Sequence, residues 1–301
     1  MMVALLWGTG SLPADEKPDL FPRELVQFQP HPANPLFTGT GRSTWDELIR
    51  ERGFILKDGN EYRLYYTGYR KGPGATMHLG LATSRDGVHW KRYPHNPIDD
   101  SEWTEDVFVV KYRGKYYLFA EGKQDRAHHM VSDDGIKWSE QGRLDIRHRD
   151  GRPIEPGPYG TPTVWIENGT WYLFYERRDA AVWLATSKDR KIWTLVRDEP
   201  VLRPGPETYD RHAVAANQVF RYQGRYYLTY HATAHRPWRD WSTNLAVSDD
   251  LIHWKKYPGN PVIAGNRSSG IYLLDQGRWN LYTMHPRVEL FQSKRRAASK
   301  R

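Results

Sequence analysis

Apolar and polar positions alternate in short runs along most of this chain, and the runs are aromatic. YRLYYTG around Leu64, YYLFAEG around Leu118, WYLFYER around Leu173, YYLTYHA around Leu228 and WNLYTMH around Leu281 read as strands of period two, not as helical faces. A nearly constant word follows each of the first four: ATSRDGVHW ending at Trp90, MVSDDGIKW at Trp138, ATSKDRKIW at Trp193 and AVSDDLIHW at Trp254. Its short Ser and Asp side chains satisfy backbone groups of a tight turn. Its Trp opens an outer strand and packs between neighbouring sheets. Repeats at a period of roughly 50 residues are a signature of propellers and arrays.

The outer strands carry a second mark. KRYPHNP follows Trp90 and KKYPGNP follows Trp254, each with Asn-Pro at the same offset. Phe28 is followed by QPHPANP, which puts Asn34-Pro35 at that offset too. ELVQF at 24–28 therefore reads as an outermost strand with no sheet before it. The Leu281 strand, with a third strand at 288–292, lacks an outermost strand after it. The two defects cancel if the N-terminal strand completes the last sheet. The expected fold is all-β: a five-bladed β-propeller with four antiparallel strands per blade, closed by the N-terminal strand so that no sheet edge is left open. That single domain spans residues 18–292.

The hairpin words YRGK, ENGT, YQGR and DQGR, with KDGNE in the first blade, set the register of the innermost strands. Their starts then correspond at Glu51-Arg52, Glu105-Asp106, Gly160-Thr161, Ala215-Ala216 and Ser268-Ser269, around one mouth of the central channel. The aromatic strands run back to the same mouth with Thr67, Glu121, Glu176, His231 and Met284. Acids facing a channel are costly as core unless paired, and a salt bridge such as Glu51 with Arg52 is the structural alternative for any one of them. A pair of carboxylates across a cleft is what glycosidic bond cleavage needs, one as base or nucleophile and one as general acid.

Over residues 24–292 these features resemble the five-bladed propeller glycoside hydrolases of families 43, 32, 62, 68, 117 and 130. The resemblance implies an O-glycosyl hydrolase. In the pattern of families 43 and 32 an acidic base or nucleophile starts blade one and an Asp starts blade two. A Glu before a small residue and Pro starts blade three. By position, Glu51 or Asp46 in TWDE takes the first place and Asp106 in TEDVFVV the second. Blade three departs, because GTPTVW has Gly160 where the acid would stand. Glu176, Glu155 in EPGPYG and His212 in YDRHAVAAN stay open as the general acid, His212 because family 117 is similar in using a His. Trp45, Tyr66, Tyr159 and Tyr209 are candidates for stacking on a sugar ring, and Arg52 and Arg177 for holding hydroxyls or a carboxylate. Glu105, Glu121, Thr161, Asn217 and His231 complete the substrate-binding candidates. The loop AHRPWRDW at 234–241 is expected to overhang the mouth or to pack at the blade edge. No cofactor is expected to be required. Family 43 allows a cation such as calcium in the central channel near a His, although no dense ligand cluster argues for one here.

Composition narrows the choice. At 301 residues, 39% hydrophobic and 14% aromatic, the chain is globular, and it has no transmembrane run. The absence of cysteine excludes disulfides and thiolate metal sites. Part of the net charge of +8 sits in the last eight residues, KRRAASKR, and residues 293–301 read as a disordered, solvated basic tail. A nucleic-acid binder would need a basic stripe interleaved with stacking aromatics, and no phosphate loop, Ser-His-Asp order or HExxH is present. Residues 1–17 resemble the end of a secretory signal without its basic start. The expectation is a secreted or periplasmic monomer whose partner is a carbohydrate, not a nucleic acid or a membrane. A non-catalytic sugar-binding propeller and a glycoside phosphorylase are the alternatives.

Overall fold

The computed structural model describes residues 19–49, 52–101, 103–178, 180–236 and 239–294. The signal-like segment 1–17, Glu51, Trp238 and the tail beyond Lys294 lie outside the described residues. The regular structure of the described chain is almost all strand. Each aromatic strand is the second of a sequence-consecutive antiparallel group: Glu61–Tyr69, Lys115–Gly122, Thr170–Arg177, Arg225–Thr233 and Arg278–Thr283. Their partners on one side are Phe54–Asp58, Glu105–Tyr112, Tyr159–Glu167, Ala213–Tyr222 and Ile271–Asp275. On the other side stand His78–Ser84, Arg126–Ser132, Ala181–Ser187, Ser242–Ser248 and Glu289–Ser293. The Tyr159↔Arg126 pair, a parallel one, merges the second and third groups into one nine-stranded sheet.

Local chemistry explains each turn. Arg113-Gly114, Asn168-Gly169, Gln223-Gly224 and Gln276-Gly277 all have φ between 47° and 82°, as a two-residue hairpin matched to strand twist requires. In the repeated word, the Ser132 hydroxyl accepts the amides of Asp134 and Gly135, and the Asp134 carboxylate accepts those of Ile136 and Lys137 at 2.8 Å. The Lys137 amide, above all, holds the Asp134 pKa below its usual value, against a partial burial cost. Ser84/Asp86, Ser187/Asp189 and Ser248/Asp250 repeat this turn. The Trp that follows packs onto the preceding group: Trp138 edge-on to Tyr65, Trp193 to Phe119 and Trp254 to Phe174. The Asn-Pro mark also has a function. Asn96 clasps the backbone of Leu81 through both ends of its amide at 2.8–2.9 Å, and Asn260 does the same to Leu245.

The N-terminal segment corrects one expectation and supports another. Residues 24–28 do not form a strand. Arg23–Val26 make one helical turn behind Pro22, and the strand is Phe28–Pro30. Proline pre-sets the φ of a turn, Leu25 is fully buried, and its carbonyl accepts the hydroxyl of buried Tyr272. Phe28–Pro30 pairs antiparallel with Glu289–Ser293, so the last strand also runs one residue further than expected and takes Ser293 out of the tail. Asn34 clasps Leu290 at 2.8–2.9 Å, as Asn96 clasps Leu81.

Contacts between groups repeat as well. Asp58, at the end of its strand, accepts Lys111 and Tyr116 of the next group, and Glu167 accepts Arg221 and Tyr226. Asp275, at the equivalent place in the last group, accepts Lys57 and Tyr62 of the first. Elsewhere the acid gives way to Tyr: Tyr112 meets Trp171 and Tyr222 meets Trp279, both edge-on. The first strands of all the groups line one cavity of about 300 Å³, walled by residues such as Phe54, Phe108, Val164, Val219 and Leu273.

Candidate active site

At the start of three first strands the pairing slips. Glu105 lies opposite Glu121, Gly160 opposite Glu176 and Ala215 opposite His231, and a bulge follows each within two residues. Bulges re-aim side chains. Asp106, Thr161 and Ser269 occupy equivalent positions and all have left-handed backbone, with φ of 51°, 47° and 60°. For a β-branched residue such as Thr161 that conformation is costly, and strain of this kind gathers at functional sites.

Thr161 ties two carboxyl groups together. Its amide donates to Glu121 Oε2 at 3.0 Å and its hydroxyl donates to Asp106 Oδ2 at 3.2 Å. Gly160 makes the first contact feasible: a Cβ there would stand 1.8 Å from Glu121 Oε2. The Glu121 carboxyl thus fills the space of the side chain that the third strand group lacks. Glu105, Glu121 and Glu176 are all buried. Burial, followed by the charges of Asp106, Glu176, Glu105 and Asp125, raises the Glu121 pKa well above the usual carboxylate value.

Arg52 has no exposed surface, and its Nη2 donates to the Pro162 carbonyl and to Thr163 Oγ1. Burial lowers its pKa to about 10, while Asp106 and Glu121 oppose that shift, so it keeps its charge beside them at neutral pH. Its Nε and Nη1 are buried without a hydrogen-bond partner. On the next group, the Asn217 amide donates to His231 Nδ1 at 2.8 Å. Burial, then the charges of Arg52 and His285, push the His231 pKa down to about 3, which makes it neutral. Trp241, from the 234–241 loop, packs edge-on against His231 at 4.9 Å. Thr161 thus joins Asp106 and Glu121 by hydrogen bonds, the charges of Glu105, Glu176 and Arg52 act on that pair, and Asn217 holds His231.

Other expected residues stand apart. Asp46 is an ion pair with Arg92 at 2.7 Å, also accepts Tyr66 and Thr44, and has no contact with the Thr161 set. Trp45 stacks on Tyr66. This network recurs in the fourth group, where Asp210 pairs with Lys256 while Tyr209, Tyr230 and Asn260 share hydrogen bonds. These bonds tie Asp46, Tyr66 and Tyr209 to neighbours within their own strand groups. Tyr159 is buried with its hydroxyl on the Leu144 carbonyl. Arg177 pairs with Glu155 and lies over Trp183. His212 is half-buried at the start of its strand, with its amide on the Thr233 carbonyl. Sequence reading named Glu121 as a binding residue and missed its pairing with Gly160; the missing side chain was the signal.

One oxygen each from Glu105, Glu121 and Asp125 lies within 4.8 Å of the others. A hard cation such as calcium takes six to eight oxygen ligands. These residues supply three at one oxygen each, and Glu121 already accepts the Thr161 amide. By themselves they do not make a calcium cage.

Comparison with known proteins places this geometry. A glycosyl hydrolase from Bacteroides ovatus superposes with a TM-score of 0.72 at 18% identity, covering 91% of this chain and 95% of its own. A structure reported with the family 130 mannoside phosphorylases and hydrolases that target β-1,2 mannosidic linkages in Candida mannan gives 0.70 at 15%, covering 89% and 93%. The fold is that of the propeller-type glycoside hydrolases. The α-L-arabinofuranosidase of Podospora anserina shares the glycosidase fold with a TM-score of 0.64 at 12% identity, over 87% of this chain and 95% of that one. Among curated sequences, a 1,2-β-oligomannan phosphorylase of Thermoanaerobacter is 25% identical over 217 residues, 66% of this chain and 69% of its own. An uncharacterized protein of Mycobacterium tuberculosis is 23% identical over 218 residues, 66% of this chain and 72% of its own. No family model matches the chain.

Proposed function

We propose that the strand groups are five blades of one closed ring and that its mouth cleaves glycosidic bonds. Closure is supported by Phe28–Pro30 on the last group and by the Asp275 contacts, which repeat those of Asp58 across the seam. Tyr282 also donates to Gly87 of the first group as Tyr65 donates to Gly135 of the second. Deleting residues through Asn34 opens a sheet edge and gives an aggregating or unfolded product. A deletion variant that stays monomeric with unchanged melting sinks the ring.

The observation that carries the chemistry is the pair of carboxyls on Thr161. Glycosidic cleavage divides labour between a proton donor and an ionised group, and an enzyme does so by giving two carboxyls different environments. Glu121 is buried among acids, and that burial and those acids raise its pKa well above the usual carboxylate value, which suits it to serve as the general acid. Asp106, beside the Arg52 charge, serves as the ionised partner.

The attacking group is water or phosphate. The curated phosphorylase relative favours keeping phosphorolysis in view, and both it and the structure from the mannan study concern β-1,2-linked mannose. Purified protein assayed on β-1,2-mannobiose and a panel of aryl glycosides, with and without phosphate, releases free sugar or sugar 1-phosphate accordingly. Sugar binding with no turnover on any of them supports the non-catalytic propeller instead.

A further inference from the structure

We propose that a pocket beside the mouth is a subsite for an oxyanion: the carboxylate of an acidic sugar, or free phosphate. It deepens the reading of the mouth as a carbohydrate site and rests on it. The pocket, of about 240 Å³, is lined by Trp103, Lys123, Arg126, His128, Glu140 and Arg143, with Gly122 at its wall. Gly122 directly follows Glu121, and Arg126 pairs with Tyr159 next to Gly160, so the pocket adjoins the carboxyl pair at the junction of the second and third blades.

Its charges are uncompensated. Elsewhere long cations find acids, as Lys111 finds Asp58 and Arg267 finds Glu289. Among the described residues Lys123, Arg126 and Arg143 have no side-chain ion pair or hydrogen bond, and Arg126 Nε is buried without a partner. The acid on the pocket wall is engaged: Glu140 Oε2 accepts His128 Nδ1–H at 2.8 Å. His128 is only 6% exposed, and its Nε2 is buried with no hydrogen-bond partner. That nitrogen stands 3.6 Å from where a Cβ on Gly122 would be, at the pocket wall. A Cβ on Gly157 would press on the Arg126 side chain at 3.1 Å, so glycines give both side chains their room. Guanidinium forks bind carboxylate and phosphate through paired hydrogen bonds, and the half-buried Trp103 offers a face for the ring that carries a carboxylate.

Titration calorimetry of the full chain with sodium glucuronate, inorganic phosphate and neutral glucose, at constant ionic strength, tests the pocket without requiring turnover. At least one oxyanion binds and glucose does not compete for it. Arg126→Met weakens that binding by at least about tenfold, as expected for lost charge-assisted hydrogen bonds. Arg143→Met, at an exposed position, weakens it by a smaller factor. Binding of glucuronate alone assigns an acidic sugar, and binding of phosphate, alone or with glucuronate, assigns an oxyanion site open to free phosphate. No binding at millimolar concentration, or binding unchanged in both variants, overturns the proposal. If oxyanion binding persists while Asp106→Asn leaves turnover intact, the reading of the mouth fails and the pocket stands.

Discussion

Two sets of carboxylates in this protein look alike in sequence and differ in their partners. Asp46 with Arg92, and Asp210 with Lys256, are ion pairs of two strand groups. Asp46 also accepts Tyr66, whose hydroxyl Asn96 reaches, and Asp210 accepts the Gly205 amide while Tyr209, Tyr230 and Asn260 bond to one another. Asp106 and Glu121 share Thr161 as a donor and stand among other acids, and Asp106 and Thr161 have left-handed backbone. In a repeat fold, a polar group that recurs with its partner stabilises the blade. A polar group that breaks the repeat and is left with a costly environment marks the place where chemistry is done.

The largest test of that contrast exchanges the two kinds of acid. Asp106→Asn keeps the shape and removes the charge, so turnover falls by at least about a hundredfold, in the range of acid–base contributions, with little change in melting. Asp46→Asn leaves an uncompensated Arg92 and does the reverse: turnover stays within about threefold while stability falls by about 2 kcal/mol. Kinetics and thermal melts of both variants decide it, and equal losses of activity would erase the distinction between the networks.

Gly160→Ala sharpens the comparison from the other side. A Cβ at 1.8 Å from Glu121 Oε2 displaces that carboxyl. Turnover then falls by about tenfold or more although no ionisable group has been removed. Full activity in the Gly160→Ala protein shows that Glu121 need not sit there.

The smallest effect is in pH. The folded-state pKa of Glu121 is raised, so the folded protein holds its proton more tightly than the unfolded chain does. Its contribution is present at acid pH and is lost as pH rises through the folded-state value. Glu121→Gln has no such loss, so its melting temperature relative to wild type increases as pH rises above the usual carboxylate range. His231 works in the opposite sense. Its folded pKa of about 3 makes stability fall as pH drops below about 6.5, and this is common to both proteins. A melting difference that is flat with pH contradicts the assignment.

Local signals carried most of the fold. Hairpin glycines, the Ser-x-Asp turn, the clasps of Asn96 and Asn260 and the aromatic period all act within about fifteen residues, and each is found where the sequence places it. The register they set also brought Glu105 opposite Glu121 and Gly160 opposite Glu176. The helical turn at Arg23–Val26 was not legible, because it depends on Tyr272 reaching Leu25 across the molecule. The partners of Asp46 and Tyr66 were hidden for a related reason. Sequence gives a residue's place along a strand but not the partner that already occupies its side chain. Glu121 was legible as a mouth residue only; its role depends on the space left by Gly160, thirty-nine positions away.

The most direct test is leaving-group dependence in Glu121→Gln, once a substrate has been identified. A general acid is needed for a poor leaving group and dispensable for one that departs without a proton. Glu121→Gln therefore loses about 10²–10⁴-fold on an unactivated disaccharide or alkyl glycoside, yet stays within about tenfold of wild type on the matching dinitrophenyl glycoside. The same pattern in Glu176→Gln or His212→Asn, with Glu121→Gln active on both substrates, would contradict the account and move the acid elsewhere on the mouth.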